Sequence, residues 1–419
     1  MTDKSPPSLW RALSNRNFAL YFAGQGVSLI GTWLQQTAMT WLVYRLTQSA
    51  WLLGVVGFAG QLPSFLLAPL AGVWTDRWNR HRALIVTQVL AMLQAFLLAY
   101  LSWSGTVQTW HIIALSAFLG CVSSVDITVR QAFVVDMVSA EGDLANAIGL
   151  NSTLTNGTRL LGPALAGVLI PLVGEPTCFL LNALSYGAVI AALVAMTIQQ
   201  RERPSKHRAM TTEIWEGFRY AYEVTPIRAM VVLVSVVSFA GLPYTILLPA
   251  WVSSVLHGEA GALGFLMAIS GVGATASGIY LASRRTVRGL QRHIVVGAIS
   301  FGAGLIALAG CQTLLVGSLA MMLIGYGMML QFGASNTVIQ VLVDPDKRGR
   351  VMSIYLMAFF GTMPLGSLAA GALADRAGAA VTIGAGGALC VLAGLLFIPQ
   401  LASIGAAVTK ELAARESVS

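Results

Sequence analysis

Long apolar runs without a single Asp, Glu, Lys or Arg recur along the whole of this chain. Each run exceeds the roughly 20 residues that a helix needs to cross the hydrocarbon core of a bilayer. Only 10% of the 419 residues are charged, whereas a soluble domain usually carries about 25%. The sequence therefore predicts an all-α integral membrane protein. The uncharged runs are 51–75, 83–125, 176–200, 229–258, 260–283, 293–343, 351–374 and 377–409.

Short polar breaks divide these runs, and the two longest runs must each fold back once. The break in the first of them is at 102–105, and the break in the second is at 310–313. We predict twelve transmembrane helices, which are called spans 1 to 12 below. The predicted spans are 18–43, 51–74, 83–103, 111–136, 146–172, 177–198, 227–254, 261–283, 293–310, 314–342, 350–373 and 379–402.

The basic residues indicate the orientation of the spans. If the N-terminus is cytoplasmic, 21 of the 25 Lys and Arg residues lie in the N-terminal segment, the cytoplasmic loops or the C-terminal tail. Because basic loops stay on the cytoplasmic side, both termini are predicted to be cytoplasmic, in a multi-pass protein of a cell membrane, the inner membrane in a bacterium. The net charge of +8 then faces anionic membrane lipids, and nucleic acid is not an expected partner.

The longest loop divides the chain into two pseudo-symmetric halves. Residues 1–200 are predicted to form an N-terminal half of six spans, and residues 227–419 a C-terminal half of six spans and a tail. Between them, 201–226 is predicted to be a cytoplasmic linker with an amphipathic helix on the inner membrane surface. Gly162-Pro163 and Met363-Pro364 form a weak internal repeat. Two similar halves are typical of a transporter with a site at their interface.

The loop between spans 2 and 3 carries the first of several family signatures. Residues 72–82, G-V-W-T-D-R-W-N-R-H-R, resemble the G-x-x-x-D-R-x-x-R-x-R loop signature of the major facilitator superfamily. Residues 157–167 resemble the signature of span 5 that is often associated with exporters. The resemblance implies the major facilitator fold over nearly the whole chain. Further segments resemble the branch that contains the enterobactin exporter and related drug exporters: 31–33, 62–63, 143–151, 179–183 and 348–353.

The loop signature indicates a cytoplasmic gate latch. Asp76 ends span 2, where its carboxylate can meet the free N–H groups and the positive dipole at the start of span 11. Arg77 and Arg80 can pair with Asp136 at the cytoplasmic end of span 4. The alternative is that the arginines only anchor the loop on the cytoplasmic side. The predicted latch residues are Gly72, Asp76, Arg77, Arg80 and Asp136.

Three charged residues, Asp126, Arg130 and Arg159, lie inside the spans. Charges at this depth are costly and are functional candidates. Asp126 and Arg130 are four residues apart, so they share a helix face and can pair, and Arg159 lies at a similar depth in span 5. The cluster is a candidate for proton coupling through Asp126 or for binding an anionic substrate. The alternative is a fixed ion pair that only specifies packing.

A polar stripe at helical spacing runs along span 1, and spans 7 and 10 carry patchier polar residues. In the superfamily that the signatures resemble, spans 1, 4, 7 and 10 line the central cavity. For each residue, a hydrogen bond between helices is an equal alternative, and such bonds are predicted for Asn151 and Asn182. The predicted cavity-lining residues are Gln25, Ser28, Thr32, Gln36, Ser238, Gln331 and Asn336.

Prolines and small residues in spans 5 and 11 are predicted to act as hinges. Proline kinks a membrane helix, and glycine lets neighbouring backbones approach closely. Helices of this kind suit rocking between inward-open and outward-open states. The predicted hinge residues are Gly162, Pro163, Gly167 and Pro364.

These features together predict a secondary active transporter that exports an amphipathic small molecule, a drug or a siderophore-like compound, by proton coupling and alternating access. The expected partners are the small-molecule substrate, protons and membrane lipids, and the protein is expected to be a monomer. The alternative on the same fold is a lipid or lysolipid flippase, and a third hypothesis is a sensor that does not transport.

An enzyme is the least favoured class. The sequence contains no P-loop for nucleotide binding and no recognisable pairing of a nucleophile with a base. Neither its five histidines nor its four cysteines show a metal-ligand spacing. No cofactor and no metal are therefore expected.

Overall fold

The computed structural model of the chain is helical wherever regular secondary structure is described, as the sequence predicted. The predicted linker at 201–226 lies mostly outside the described residues. The structure describes residues 11–137, 141–196, 219–220, 222–284, 286–344 and 347–416. Within these ranges it leaves out the side chains of 68–77, 135–136, 141–145, 152, 156 and 414–416.

Thirteen α-helices follow one another along the described ranges, with short 3-10 helices at Arg11–Ser14 and Ile398–Gln400. The α-helices are α1 (Arg16–Thr47), α2 (Ala50–Arg77), α3 (Arg80–Trp103), α4 (Thr109–Met137), α5 (Glu141–Val194), α6 (Thr225–Val236), α7 (Tyr244–Val255), α8 (Ala260–Ser283), α9 (Leu290–Gly310), α10 (Leu314–Leu342), α11 (Arg348–Ala377), α12 (Ala379–Phe397) and α13 (Leu401–Glu416).

The long helix α5 covers 54 residues and contains predicted spans 5 and 6 in one element. Its helical geometry is broken at Gly174, where φ is 77° and ψ is 166°. Glycine adopts a positive φ without the steric cost that a side chain would add. The break falls between the predicted end of span 5 at residue 172 and the predicted start of span 6 at residue 177.

Predicted span 7 is divided into α6, a π-helical turn at Val237–Gly241, and α7. Gly241 ends this turn against the ring of Phe301 and the sulfur of Cys390, where a Cβ atom would collide with both. Single π-turns inside helices are rare and are frequent at functional sites. The hydropathy of the segment gives no sign of the break, because its residues are apolar or small.

Ten helices in the described ranges are long and apolar enough to cross a membrane. One of them is the apolar part of α5, Asn146–Val194, whose 49 residues are enough for two passes through a hydrocarbon core of about 30 Å. The chain is therefore a multi-pass membrane protein, and it is helical in the regular secondary structure of the described residues.

The chain forms two compact units. Unit 1 comprises Met1–Leu42 and Leu62–Ser205, and unit 2 comprises Val43–Gln61 and Lys206–Ser419. In unit 1, apolar side chains from α1, α4 and α5 form a buried core that includes Phe18, Phe133 and Leu193. This core fixes α1 and α4 beside the polar groups described below.

In unit 2, glycines let helices pack backbone against backbone. Gly325 of α10 lies against the carbonyl group of Ser270 in α8, and Gly273 of α8 lies against the carbonyl group of Met322 in α10. A Cβ atom at either glycine would collide with backbone atoms of the other helix. The two helices therefore approach more closely than larger residues would allow.

Candidate functional site

A buried ion pair lies within α4. Arg130 donates from its guanidinium group to Oδ2 of Asp126, one helical turn away, so the pairing predicted from their spacing is present. Asp126 is only 8% exposed. The hydroxyl of Thr87 and the side-chain amide of Gln88, both in α3, donate to Oδ1 of Asp126 over 2.9 Å and 2.7 Å. The carboxylate thus accepts bonds at both oxygens, from its own helix and from the neighbouring one.

Two tyrosines complete the surroundings of this pair. Tyr21 of α1 and Tyr186 of α5 both lie close enough to interact with the charges of Asp126 and Arg130. The hydroxyl of Tyr21 also donates to Oδ1 of Asn151 over 3.4 Å, which is the interhelical bond predicted for Asn151. All the described contacts of Asp126 come from donors, so they suit a carboxylate rather than a carboxylic acid.

One acceptor beside the ion pair has no partner. The side-chain oxygen of Gln88 is buried and receives no hydrogen bond, although its amide nitrogen is held by Asp126. A buried acceptor without a partner is costly.

Arg159, the third charge predicted for this cluster, contacts an aromatic ring in α1. Its guanidinium carbon lies 5.5 Å from the centre of the Trp33 ring, which is a cation–π geometry. The ion pair described for Asp126 is with Arg130. The structure therefore supports the pair within α4 and places Arg159 on the α1–α5 contact.

A second buried polar network joins several helices of unit 1. Asn182 donates to Gln35 over 2.8 Å, Gln35 donates to Gln94 over 3.1 Å, and Gln94 lies 3.4 Å from the carbonyl oxygen of Leu115. The interhelical bond predicted for Asn182 is confirmed. Sequence reasoning missed Gln35 and Gln94, as it missed Thr87 and Gln88, because a polar residue in an apolar run does not reveal which helix supplies its partner.

Gly31 provides the space that this network needs. A Cβ atom on Gly31 would collide with the hydroxyl oxygen of Ser185 and would lie 2.6 Å from Oδ1 of Asn182. Ser185 in turn donates to Asn182. Two of the segments that carry the family resemblance, 31–33 and 179–183, thus meet at this point.

Gly31→Ala is expected to destabilise the protein by about 1 kcal/mol, the lower end of the range for overpacking, because the displaced groups are side chains that can turn. Thermal unfolding in detergent measures the change. Gly157→Ala is the matched control, since a Cβ atom there meets nothing within 4 Å. Equal unfolding temperatures for the two variants would show that the space at Gly31 is not required.

The predicted cavity-lining residues differ in their exposure. Gln25 and Ser28 are buried, Thr32 donates to the carbonyl oxygen of Ser28, and Gln36 is exposed. In unit 2, the hydroxyl of Ser238 donates to the carbonyl oxygen of Phe359. Buried Gln331 lies 3.4 Å from the hydroxyl of Ser335, and Asn336 accepts a bond from Gln340. The contacts described here join groups within one helix or between two helices.

Most of the predicted latch lies outside the described side chains. The backbone of α2, which includes Gly72, is helical to Arg77, but the side chains of Asp76, Arg77 and Asp136 are not described. Arg80 is the first residue of α3. The helix is capped there by Asn79, whose side-chain oxygen accepts from the N–H of Arg82 over 3.0 Å.

The predicted hinge residues lie within helical backbone, away from the break in α5. Gly162 of α5 lies against Trp33, and Pro163 and Gly167 beside it are buried. The break recorded within α5 is at Gly174, so the backbone at Pro163 stays helical. Pro364 is buried within α11. Two residues further along, Gly366 touches the backbone of Phe239 in the π-helical turn.

The described residues contain no group of three or more His, Cys, Asp or Glu side chains that could hold a metal ion. All four cysteines are free thiols, and three of them are buried.

Comparison with known proteins gives matches over nearly the full length. The profile of the family described as "Transmembrane secretion effector" matches residues 7–415. The staphyloferrin A transporter of Staphylococcus aureus is 27% identical over 361 residues, which cover 85% of this chain and 89% of that protein. The multidrug efflux pump Tap of Mycobacterium tuberculosis is 26% identical over 366 residues, which cover 85% of each protein.

A solved structure shares the arrangement of the chain. The crystal structure of a mutant of the nucleoside transporter NupG matches with a TM-score of 0.72, covering 94% of this chain and 99% of that one. The two sequences are 13% identical, so this likeness concerns the fold alone.

Proposed function

Because this chain belongs to the transmembrane secretion effector family of the major facilitator superfamily, we propose that it is a secondary active exporter of an amphipathic small molecule. The family resemblance predicted from the sequence motifs is confirmed, and the chain is a transporter rather than an enzyme. The direction of transport and the ion that drives it are proposals.

The substrate class follows from the relatives. One is a transporter of staphyloferrin A, and another is a multidrug efflux pump. We propose that this chain moves a drug or a siderophore-like compound out of the cell. These two relatives favour a small-molecule exporter over the lipid or lysolipid flippase that the sequence left open.

The proposed exporter has twelve spans with both termini in the cytoplasm. Three features support this count: the ten apolar helices, the length of α5, and the 32 residues of α1, which add one pass. The distribution of basic residues supports the orientation. The division into two six-span halves at 1–200 and 227–419, the monomeric state and the alternating-access cycle are part of the same proposal.

One observation carries the choice of coupling residue, namely the ion pair between Asp126 and Arg130 inside α4. We propose that Asp126 exchanges a proton during transport. Protonation removes the charge that holds Arg130, so the guanidinium becomes free to change its partner. Thr87 and Gln88 hold the carboxyl group in place while this happens. Loss of the proton restores the pair and closes the cycle.

The latch at the end of α2 is proposed to close the cytoplasmic side. Asp76 would bind the start of α11, and Arg77 and Arg80 would bind Asp136. The loop signature supports this assignment, since an acidic residue is stabilised at the N-terminus of a helix. The cavity-lining and hinge roles stay predictions from the sequence.

Efflux in everted membrane vesicles tests the proposed function, with ethidium and the macrolide erythromycin as probes. An imposed pH gradient is expected to drive probe accumulation by the wild type, and a protonophore is expected to abolish it. Asp126→Asn is expected to lose the gradient-dependent part of uptake, because an amide cannot exchange a proton.

Asp344→Asn is the matched control, since it removes an exposed carboxylate that is paired with Lys347 over 3.2 Å. Its uptake is expected to equal that of the wild type. Full gradient-driven uptake by Asp126→Asn would remove this residue from the coupling mechanism. Failure of the folded wild type to move either probe would count against a drug exporter.

A further inference from the structure

A carboxylate from the end of α11 caps the start of α2. The hydroxyl of Ser49 donates a hydrogen bond of 3.1 Å to Oδ1 of Asp375, and the backbone N–H of Trp51 lies 3.5 Å from the same oxygen. Because α2 begins at Ala50, the carboxylate meets a free N–H group and the positive end of the helix dipole. All four residues belong to unit 2.

The end of α11 repeats the spacing of the loop signature. Gly371-Ala-Leu-Ala-Asp375-Arg376 has the same G-x-x-x-D-R spacing as Gly72-Val-Trp-Thr-Asp76-Arg77 at the end of α2. Each Asp lies in the last turn of its helix. The proposed inner latch joins the end of α2 to the start of α11, whereas the contact of Asp375 joins the end of α11 to the start of α2.

Glycines hold the same two helices together one turn further along. A Cβ atom on Gly54 would lie 2.6 Å from the carbonyl oxygen of Ser367 and 3.0 Å from Cα of Gly371. A Cβ atom on Gly371 would lie 2.9 Å from the carbonyl oxygen of Ala50. The backbones of α2 and α11 are therefore in direct contact below the capping carboxylate. Ser367, which lies at this contact, is only 1% exposed.

We propose that Asp375 and Ser49 form a releasable outer clamp between α2 and α11, the counterpart of the inner latch at Asp76. This inference rests on the proposed function, because a transporter that alternates must close each side in turn. Under the proposed orientation, span 11 ends outside the cell, so the clamp closes the outer side. The hydrogen bond between Ser49 and Asp375 is present in the structure.

The chemistry of the clamp suits a contact that opens. Asp375 is exposed and Ser49 is half-buried, so water can replace their hydrogen bond when the helices part. A carboxylate at an exposed helix N-terminus shifts an equilibrium by about two- to fivefold. The contact between Gly54 and Gly371 involves no polar side chain, so no such group loses a partner when the two helices part. The clamp therefore favours the closed outer side without locking it.

Labelling of a buried reporter cysteine tests the clamp independently of transport. Ser367→Cys, in a Cys121→Ser background, places a thiol where α2 covers α11, and the protein in nanodiscs is treated with a water-soluble maleimide. The background without the reporter gives the blank, because the other three cysteines are buried. Asp375→Asn is expected to raise the labelling rate of this thiol about two- to fivefold.

Two further variants give this experiment its controls. Gly371→Ala is expected to raise labelling more than Asp375→Asn, since the added Cβ collides with backbone atoms of α2. Glu259→Gln removes an exposed carboxylate at the start of α8 that makes no side-chain capping bond, and it is expected to label like the parent.

The possible outcomes separate the two proposals. Unchanged labelling in folded Asp375→Asn overturns the clamp, whatever its transport and whatever the labelling of Gly371→Ala. Equal increases in Asp375→Asn and Glu259→Gln also overturn it, because the effect would then be one of general charge. Raised labelling in a protein whose wild type moves no probe supports the clamp and counts against the proposed function.

Discussion

Arg130→Met is expected to reduce the stability of the protein by about 3–5 kcal/mol, because it leaves a buried carboxylate without its cation. Asp126 is 8% exposed, so water cannot replace the guanidinium. Thr87 and Gln88 would still donate to Asp126, but neutral donors do not neutralise its charge. Unfolding by dodecyl sulfate titration in mixed micelles measures the loss.

A double-mutant cycle separates the lost partner from the lost packing. Asp126→Asn combined with Arg130→Met removes both charges and keeps an acceptor for Thr87 and Gln88. The double variant is expected to be more stable than Arg130→Met alone, since replacing both members of a buried pair is often nearly neutral. If the two losses simply add, the pair contributes no coupling energy and the cost of Arg130→Met is one of packing.

Asp344→Asn serves again as the reference for an exposed pair. Its side chain is 54% exposed, and that of its partner Lys347 is 40% exposed. Exposed ion pairs contribute about 0–1 kcal/mol. If Asp344→Asn loses as much stability as Arg130→Met, burial of the ion pair is not the cause of the large loss in Arg130→Met.

The helices that the sequence predicted best are those whose limits are set locally. Predicted span 10 matches Leu314–Leu342 at both ends, because Thr313 caps its start and polar residues follow its end. Hydropathy could not reveal the π-turn at Val237–Gly241, which depends on how Gly241 packs against Phe301. Helix ends that are set by tertiary packing leave no signal in an apolar stretch of sequence.

The same distinction applies to the candidate site. Asp126 and Arg130 could be paired from the sequence, because both lie on one helix and four residues separate them. Their partners on α3 could not be predicted, since the rotation of α3 against α4 places Thr87 and Gln88 there. In α1, the predicted stripe included exposed Gln36, whereas its neighbour Gln35 joins the buried network. Helical spacing identifies a face but not the helix that covers it.

Gly325→Ala is expected to destabilise unit 2 by about 3 kcal/mol, the upper end of the range for overpacking. The added Cβ atom would collide with the carbonyl group of Ser270 in α8, and a backbone group cannot turn aside as a side chain can. Gly273 packs against Met322 in the reciprocal direction, so relief at one position strains the other. Dodecyl sulfate titration measures the loss of stability.

Gly187→Ala is the control for this change, because it is the same substitution within a helix where a Cβ atom meets nothing within 4 Å. Relative to the wild type, it is expected to gain about 0.4–1 kcal/mol, since alanine restricts the unfolded chain more than glycine does. Opposite signs for the two variants would show that backbone contact between α8 and α10 limits residue size. A stabilising effect of Gly325→Ala would show that these helices can separate without cost.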